Sequence, residues 1–162
     1  MTNVVIASIA RTPIGKFRGS LSTLKGSQLG AVAIQGALSK LSDAGDLTIR
    51  DAYLGNVVSA GMGQAPARQA VLGAGLPQST ICTTINKVCA SGMKAVMLAA
   101  QSLQCAGSDT PGYAMLAGGF ESMSNIPHYL QGSRSGFPLG NTTLIGRFNF
   151  MISLLDAIFV SC

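Results

Sequence analysis

Four cysteines and a single histidine are the residues of this 162-residue chain best suited to nucleophilic or metal chemistry. Cys82, Cys89, Cys105 and Cys162 are separated by 7, 16 and 57 positions, and His128 stands apart from all of them. With no CxxC pair and one histidine, the pattern argues against a zinc site. What remains is covalent chemistry at a thiol, and Cys89 is the best placed. The stretch Asn86-Lys87-Val88-Cys89-Ala90-Ser91-Gly92-Met93 joins the end of one apolar segment to the start of another. A cysteine at the amino end of a helix meets free amides that together carry about half a positive charge. A thiolate is favoured there, and the same amides can donate to an oxyanion forming beside the sulfur. Ala90, Ser91 and Gly92 are small and leave room for a substrate. The competing reading is equally physical: free cysteine is among the most buried residue types and is usually an inert core filler. Position and neighbours leave both readings of Cys89 open. The other thiols fit the inert reading. Cys82 alternates into a strand, Cys105 lies at the far end of a helix where the dipole opposes a thiolate, and Cys162 is terminal. His128 reads as a surface histidine in a loop. Glu121 reads as a buried, hydrogen-bonded structural carboxylate, since no second acid is near in sequence.

The elements that must position Cys89 follow from periodicity and punctuation. Asn3 to Ile9 is a short β-branched run ended by Arg11-Thr12-Pro13. Ser27 can cap a helix to about Leu41, with Ala31, Ile34, Leu38 and Leu41 on one stripe. Ala52 to Val58 reads as a strand. Pro66 suits the first position of a helix ending at Gly73, with Gly75 and Pro77 beyond it. Thr80 to Val88 is a third strand. A helix follows from about Cys89 to Cys105, stopped at Gly107, and its apolar body predicts burial between layers. Tyr113 to Ala117 is a fourth strand, stopped by Gly118-Gly119. Strands alternate with helices, which predicts an α/β fold with a mostly parallel sheet and a buried helix. From Asn125 onward, Pro127, Gly132, Gly136, Pro138 and Gly140 mark an extended loop without a strand pattern.

Composition narrows the function classes. Hydrophobic residues make up 48% and charged residues 10% of the chain. An ordinary free domain carries about a quarter charged residues, so much of this surface is expected to be covered by a further domain or a partner subunit. The net charge is +5, but the basic residues are scattered and aromatics are 6%. Nucleic-acid binding wants clustered Lys and Arg, so no nucleic-acid partner is expected. No run reaches the length of a membrane span, and no membrane partner is expected. The opening residues read as a strand and not as a secretory or transit leader, which points to the cytoplasm with mitochondrial or peroxisomal placement left open.

Four motifs, in order, carry a resemblance. NKVCASGMKAV around Cys89 resembles the acyl-cysteine signature of thiolases, in particular the acetyl-CoA C-acetyltransferase (acetoacetyl-CoA thiolase) branch. ARTPIGKFRGSLS at Ala10 to Ser22 resembles the family's opening motif. GNVVSAGMGQAPARQAVLGAGLP at Gly55 to Pro77 resembles the segment before the third strand. AGGFESMSNIP at Ala117 to Pro127 resembles the glycine-rich turn after the fourth, with Phe120 where methionine is more usual. The resemblance covers about 140 residues. It implies the amino-terminal half of a thiolase-like layered fold, and a catalytic Cys89 that takes an acetyl group from acetyl-CoA or acetoacetyl-CoA and passes it on. It implies coenzyme A thioesters as substrates, no metal and no covalently bound cofactor, an oxyanion donor in the Cys89 amide, and assembly as a homo-oligomer, a dimer or tetramer.

The resemblance also implies what the 162 residues do not contain: a Gly-His-Pro histidine, an Asn-Glu-Ala asparagine and a Cys-x-Gly cysteine, all in the second half of a thiolase. The chain divides into a partial amino-terminal domain (residues 1–124), the start of a loop insertion (125–145) and an apolar tail (146–162) that departs from the family pattern. That departure predicts that the last strand of the first half is absent, and that the chain is a truncated form inactive by itself. Competing readings are a non-catalytic fragment that associates with full-length thiolase subunits, a longer-chain 3-ketoacyl-CoA thiolase, and a related ketoacyl synthase.

Overall fold

A computed structural model of the chain describes residues 3–41, 47–106, 113–137, 139–146 and 156–161. Gly107, Pro138 and Cys162, named above as a helix stop, a loop residue and an inert thiol, lie outside them.

Among the described residues five strands form one sheet: β1 (Val5–Arg11), β2 (Thr48–Gly55), β3 (Ile81–Ile85), β4 (Tyr113–Gly119) and β5 (Asp156–Ser161). Their order across the sheet is β1-β5-β4-β2-β3. β2 runs parallel to both β3 and β4, and β5 runs antiparallel to β1 and β4. Three helices connect them: α1 (Gly26–Leu38), α2 (Pro66–Gly73) and α3 (Ser91–Ala106).

Period-two alternation on the central strands divides the core. Ala52 and Leu54 of β2 and Leu116 of β4 face α1 and α2, joining Leu29, Ile34, Ala37 and Val71. Tyr53, Met115 and Ala117 face α3, joining Ala95, Ala99 and Leu103. A strand buried on both faces reads as a continuous apolar run, which is why Tyr113-Ala-Met-Leu-Ala117 was legible as strand.

Several boundaries moved for identifiable reasons. α1 begins at Gly26 with Lys25 as its capping residue, not Ser27. The side chain of Gln28 accepts the Lys25 backbone N–H at 2.8 Å, so the cap is supplied from inside the first turn. Ser27 is buried. α2 spans the predicted residues from Pro66. The expectation of a missing last strand is corrected: β5, from the apolar tail, takes the place between β1 and β4, with Ile158 opposite both Ile9 and Ala117. A strand inserted between two others gains backbone hydrogen bonds on both sides, whatever its motif content. The expectation for α3 also changes. It buries one stripe, Ser91, Ala95, Ala99 and Leu103, against the sheet. Its other side leaves Met93 71% and Met97 50% exposed, so among the described residues the helix is covered by one layer and not two.

Candidate active site at the β3–α3 turn

The turn between β3 and α3 is short because its hydrogen bonds are met within itself. Ser91 is the first residue of α3 and is buried. Its Oγ donates to the Val88 carbonyl at 2.6 Å and accepts the Lys87 N–H at 2.8 Å. Backbone bonds from Ala90 N–H to the Lys87 carbonyl and from Ser91 N–H to the Val88 carbonyl, both 3.1 Å, close the turn. Val88 sits at φ +49°. For a β-branched residue this left-handed conformation is a strained outlier, of the sort that costs about 1–3 kcal/mol and persists only where its surroundings over-determine it. Cys89 follows directly and is exposed. The helix therefore begins two residues after the predicted start, and Cys89 stands in the turn that leads into it.

Glycine contacts bring this turn onto the end of the sheet. A Cβ on Gly55, the last residue of β2, would lie 2.6 Å from the Gly92 nitrogen and the Ser91 carbonyl carbon. A Cβ on Gly119, the last residue of β4, would lie 3.3 Å from the Gly92 Cα. The start of α3 thus rests on bare backbone at the carboxyl ends of two neighbouring strands, the place where open α/β sheets carry their sites.

The four sequence motifs meet around this point. Glu121 accepts N–H bonds from Val57 (2.8 Å) and Val58 (3.2 Å) and one from the Asn56 side-chain amide (3.1 Å). The Asn86 side chain donates to the Val57 carbonyl at 3.2 Å, and its Oδ1 accepts the Val88 N–H at 3.0 Å. The opening motif is stitched to the turn after β4. Arg18 N–H donates to Ser124 Oγ at 2.9 Å, Ser122 Oγ donates to the Leu24 carbonyl at 3.0 Å, and the Asn125 amide donates to the Ser22 and Leu24 carbonyls at 2.9 and 2.8 Å. Phe120, buried, lies where a Cβ on Gly30 of α1 would come within 2.9 Å of its ring, so glycine at 30 makes the room phenylalanine needs.

Glu121 is half-buried and hydrogen-bonded to residues 56–58. Burial pushes its pKa above the ordinary glutamate value, against the opposing pull of its Val57, Val58 and Asn56 donors. Cys82 is half-buried against the α1/α2 side of the core, and burial raises its pKa. Cys105 is exposed at the far end of α3. His128 is exposed beside Tyr129, which pairs with Ile145 through two 2.8 Å backbone bonds. Among the described residues no three of His, Cys, Asp and Glu gather as a metal site, and no helix is long and apolar enough to cross a membrane.

The sequence reading missed the roles of Ser91, Asn86 and Asn56. Serine at a strand–helix junction is a capping signal, and asparagine two residues before a turn amide is a turn signal, so the first two were accessible. Asn56 carried no local signal.

The structure therefore presents an exposed cysteine on a strained strand–helix turn at the carboxyl ends of parallel strands, where open α/β sheets carry their sites. Comparison with known proteins is specific. The family described as "Thiolase, N-terminal domain" matches residues 4–159. The mitochondrial acetyl-CoA acetyltransferase of Homo sapiens is 56% identical over 144 residues, covering 89% of this chain and 32% of that protein. Acetyl-CoA acetyltransferase 1 of Arabidopsis thaliana is 53% identical over 143 residues, 88% of this chain and 33% of that protein. The crystal structure of the Acat5 thiolase of Ascaris suum in complex with coenzyme A superposes with a TM-score of 0.78 at 40% identity, covering 89% of this chain and 36% of that one. The chain belongs to the thiolase family. It spans about a third of the length of the curated relatives it matches.

Proposed function

We propose that Cys89 is the acyl-accepting residue of an acetyl-CoA C-acetyltransferase, and that coenzyme A thioesters are its substrates. The observation that carries this reading is the exposed Cys89 on a turn held by Ser91 and Asn86 beside the glycine ends of β2 and β4. The Cys89 thiolate attacks the acetyl-CoA carbonyl, the sulfur–carbon bond to coenzyme A breaks, and coenzyme A leaves as its thiolate. The α-carbon of a second acetyl-CoA, losing a proton to a base that the resemblance places outside these 162 residues, then takes the acetyl group as the bond to Cys89 breaks. In the reverse direction Cys89 attacks the 3-keto carbon of acetoacetyl-CoA, acetyl-CoA leaves carrying that proton, and coenzyme A takes the acetyl group. Splitting one carbon–carbon step into two transfers lowers the barrier to each. No metal or covalently bound cofactor enters this chemistry, because the thioester supplies the activation. The names of the human and Arabidopsis relatives favour acetyl over longer acyl groups.

The test is mass spectrometry of the chain after incubation with excess acetyl-CoA. The expected result is acetyl on Cys89, absent after Cys89→Ser and low on Cys105. Acetylation of Cys105 to the same extent as Cys89 refutes the reading. Longer acyl-CoAs in parallel decide chain-length preference.

A second reading has its own observation. Met93 and Met97, exposed along α3, suit a non-catalytic role in which this chain associates with full-length thiolase subunits. Co-purification with a full-length subunit, without acetyl on Cys89, would favour it. Assembly of the whole protein as a dimer or tetramer belongs with the same apolar surface and is read by light scattering. Cytoplasmic placement stands beside a mitochondrial one, which the name of the human relative favours, and cell fractionation separates them.

A further inference from the structure

Val57 and Asn86 are 29 residues apart, and Glu121 lies 64 residues beyond Val57, yet one line of hydrogen bonds joins them to the nucleophile turn. The Glu121 carboxylate takes the N–H groups of Val57 and Val58. The Val57 carbonyl takes the Asn86 amide, and Asn86 Oδ1 takes the N–H of Val88 at φ +49°. We infer that Glu121 is a positioning residue for Cys89, acting through the 56–58 loop and Asn86 to hold the left-handed Val88 that presents the thiol. This rests on the reading of Cys89 as the nucleophile.

The physical case has two parts. A β-branched residue does not stay in the left-handed region without restraint, and Val88 has restraints on both sides: Asn86 on its N–H, Ser91 on its carbonyl. The Ser91 restraint is local and moves with α3. The Asn86 restraint is only as firm as the Val57 carbonyl it holds, and that loop is fixed by the carboxylate. A partly buried carboxylate accepting two backbone N–H groups and a side-chain amide makes charge-assisted bonds, roughly twice the strength of neutral ones.

The experiment compares alkylation rates of Cys89 and Cys105 by limiting iodoacetamide in the 162-residue chain, resolved by peptide mass spectrometry. Cys105, exposed at the other end of the same helix, is the internal reference for global unfolding. The variants are Glu121→Ala, Glu121→Gln and Asn86→Ala. Glu121→Ala and Asn86→Ala are expected to lower the Cys89-to-Cys105 ratio about tenfold, the rate equivalent of one well-made hydrogen bond. Glu121→Gln keeps an acceptor for Val57 and Val58 and is expected to restore the ratio to within about threefold. A ratio unchanged in Asn86→Ala overturns the inference. So does a Glu121→Ala protein that is folded by circular dichroism and keeps the parent ratio. If Glu121→Ala does not fold, Asn86→Ala, on an exposed residue, decides alone. Acetyl transfer from acetyl-CoA is measured in the parent chain in the same series. Its absence would count against the nucleophile reading, while the ratio reports on positioning independently.

Discussion

The contact of α3 with Gly55 yields a direct test of how this site is built. Replacing Gly55 by alanine puts a methyl 2.6 Å from the Gly92 nitrogen and the Ser91 carbonyl carbon and 2.8 Å from Ser91 Cβ. Two of those three atoms are backbone, so no rotamer change relieves the clash. The start of α3 must retreat by about an ångström to reach ordinary contact near 3.5 Å. Overpacking of this kind costs about 1–3 kcal/mol. In a chain of this size, about 2 kcal/mol corresponds to a fall in melting temperature of roughly 4–8 °C. The retreat also moves Ser91, which clamps Lys87 and Val88, so the presentation of Cys89 changes with it. Gly36→Ala is the control. It lies within α1, its Cβ would meet Ala10 Cβ at an ordinary 3.4 Å, and helix propensity favours alanine by about 1 kcal/mol. Thermal unfolding followed by circular dichroism, with Cys89 alkylation on the same samples, reads both effects. Gly55→Ala should melt lower and alkylate more slowly at Cys89, while Gly36→Ala should match or exceed the parent. Were Gly55→Ala to melt within a degree of the parent with unchanged alkylation, the backbone contact between β2 and α3 would not be what positions the turn.

Three further outcomes are expected. Because burial holds the Glu121 pKa above its unfolded value, the folded state binds its proton more tightly. Its contribution to stability is therefore full below the ordinary glutamate range and is lost as pH rises through the raised value. Denaturant titrations across that window should show a downward slope that Glu121→Gln removes; an identical slope in both proteins would contradict the assignment. Gly30→Ala should destabilise by about 1–2 kcal/mol by crowding the Phe120 ring, and adding Phe120→Met should recover most of it. Additive losses in that double-mutant cycle would show that the two positions do not share the space. Finally, the 162-residue chain should show negligible thiolysis of acetoacetyl-CoA. The resemblance puts the activating histidine and the second cysteine outside it, and losing members of a catalytic unit costs on the order of 10⁴-fold or more. Robust turnover, measured as loss of acetoacetyl-CoA absorbance, would refute this.

Local physics made much of the fold legible. Pro66 is compatible only with a first turn, and α2 begins there. The continuous apolar run at Tyr113–Ala117 marked a strand covered on both faces, and β4 is that strand. The strand–turn–helix around Cys89 was visible in the β-branched run before it and the apolar helix after it. β5 was not legible, because what makes Asp156–Ser161 a strand is two partners at least 37 and 145 residues away.

By itself the sequence determined which residue could act: a cysteine between a strand and a helix, flanked by small residues, within motifs resembling those of thiolases. Tertiary structure decided how that residue is held. Val88 is left-handed because Asn86 and Ser91 grip both sides of it. Asn86 is placed by a loop that Glu121 fixes from the end of β4, and α3 reaches the sheet because Gly55 and Gly119 have no side chains. Apart from the Asn86 and Ser91 bonds to Val88, these contacts join residues distant in the chain. Their energies depend on distances of tenths of an ångström, which periodicity and spacing do not encode.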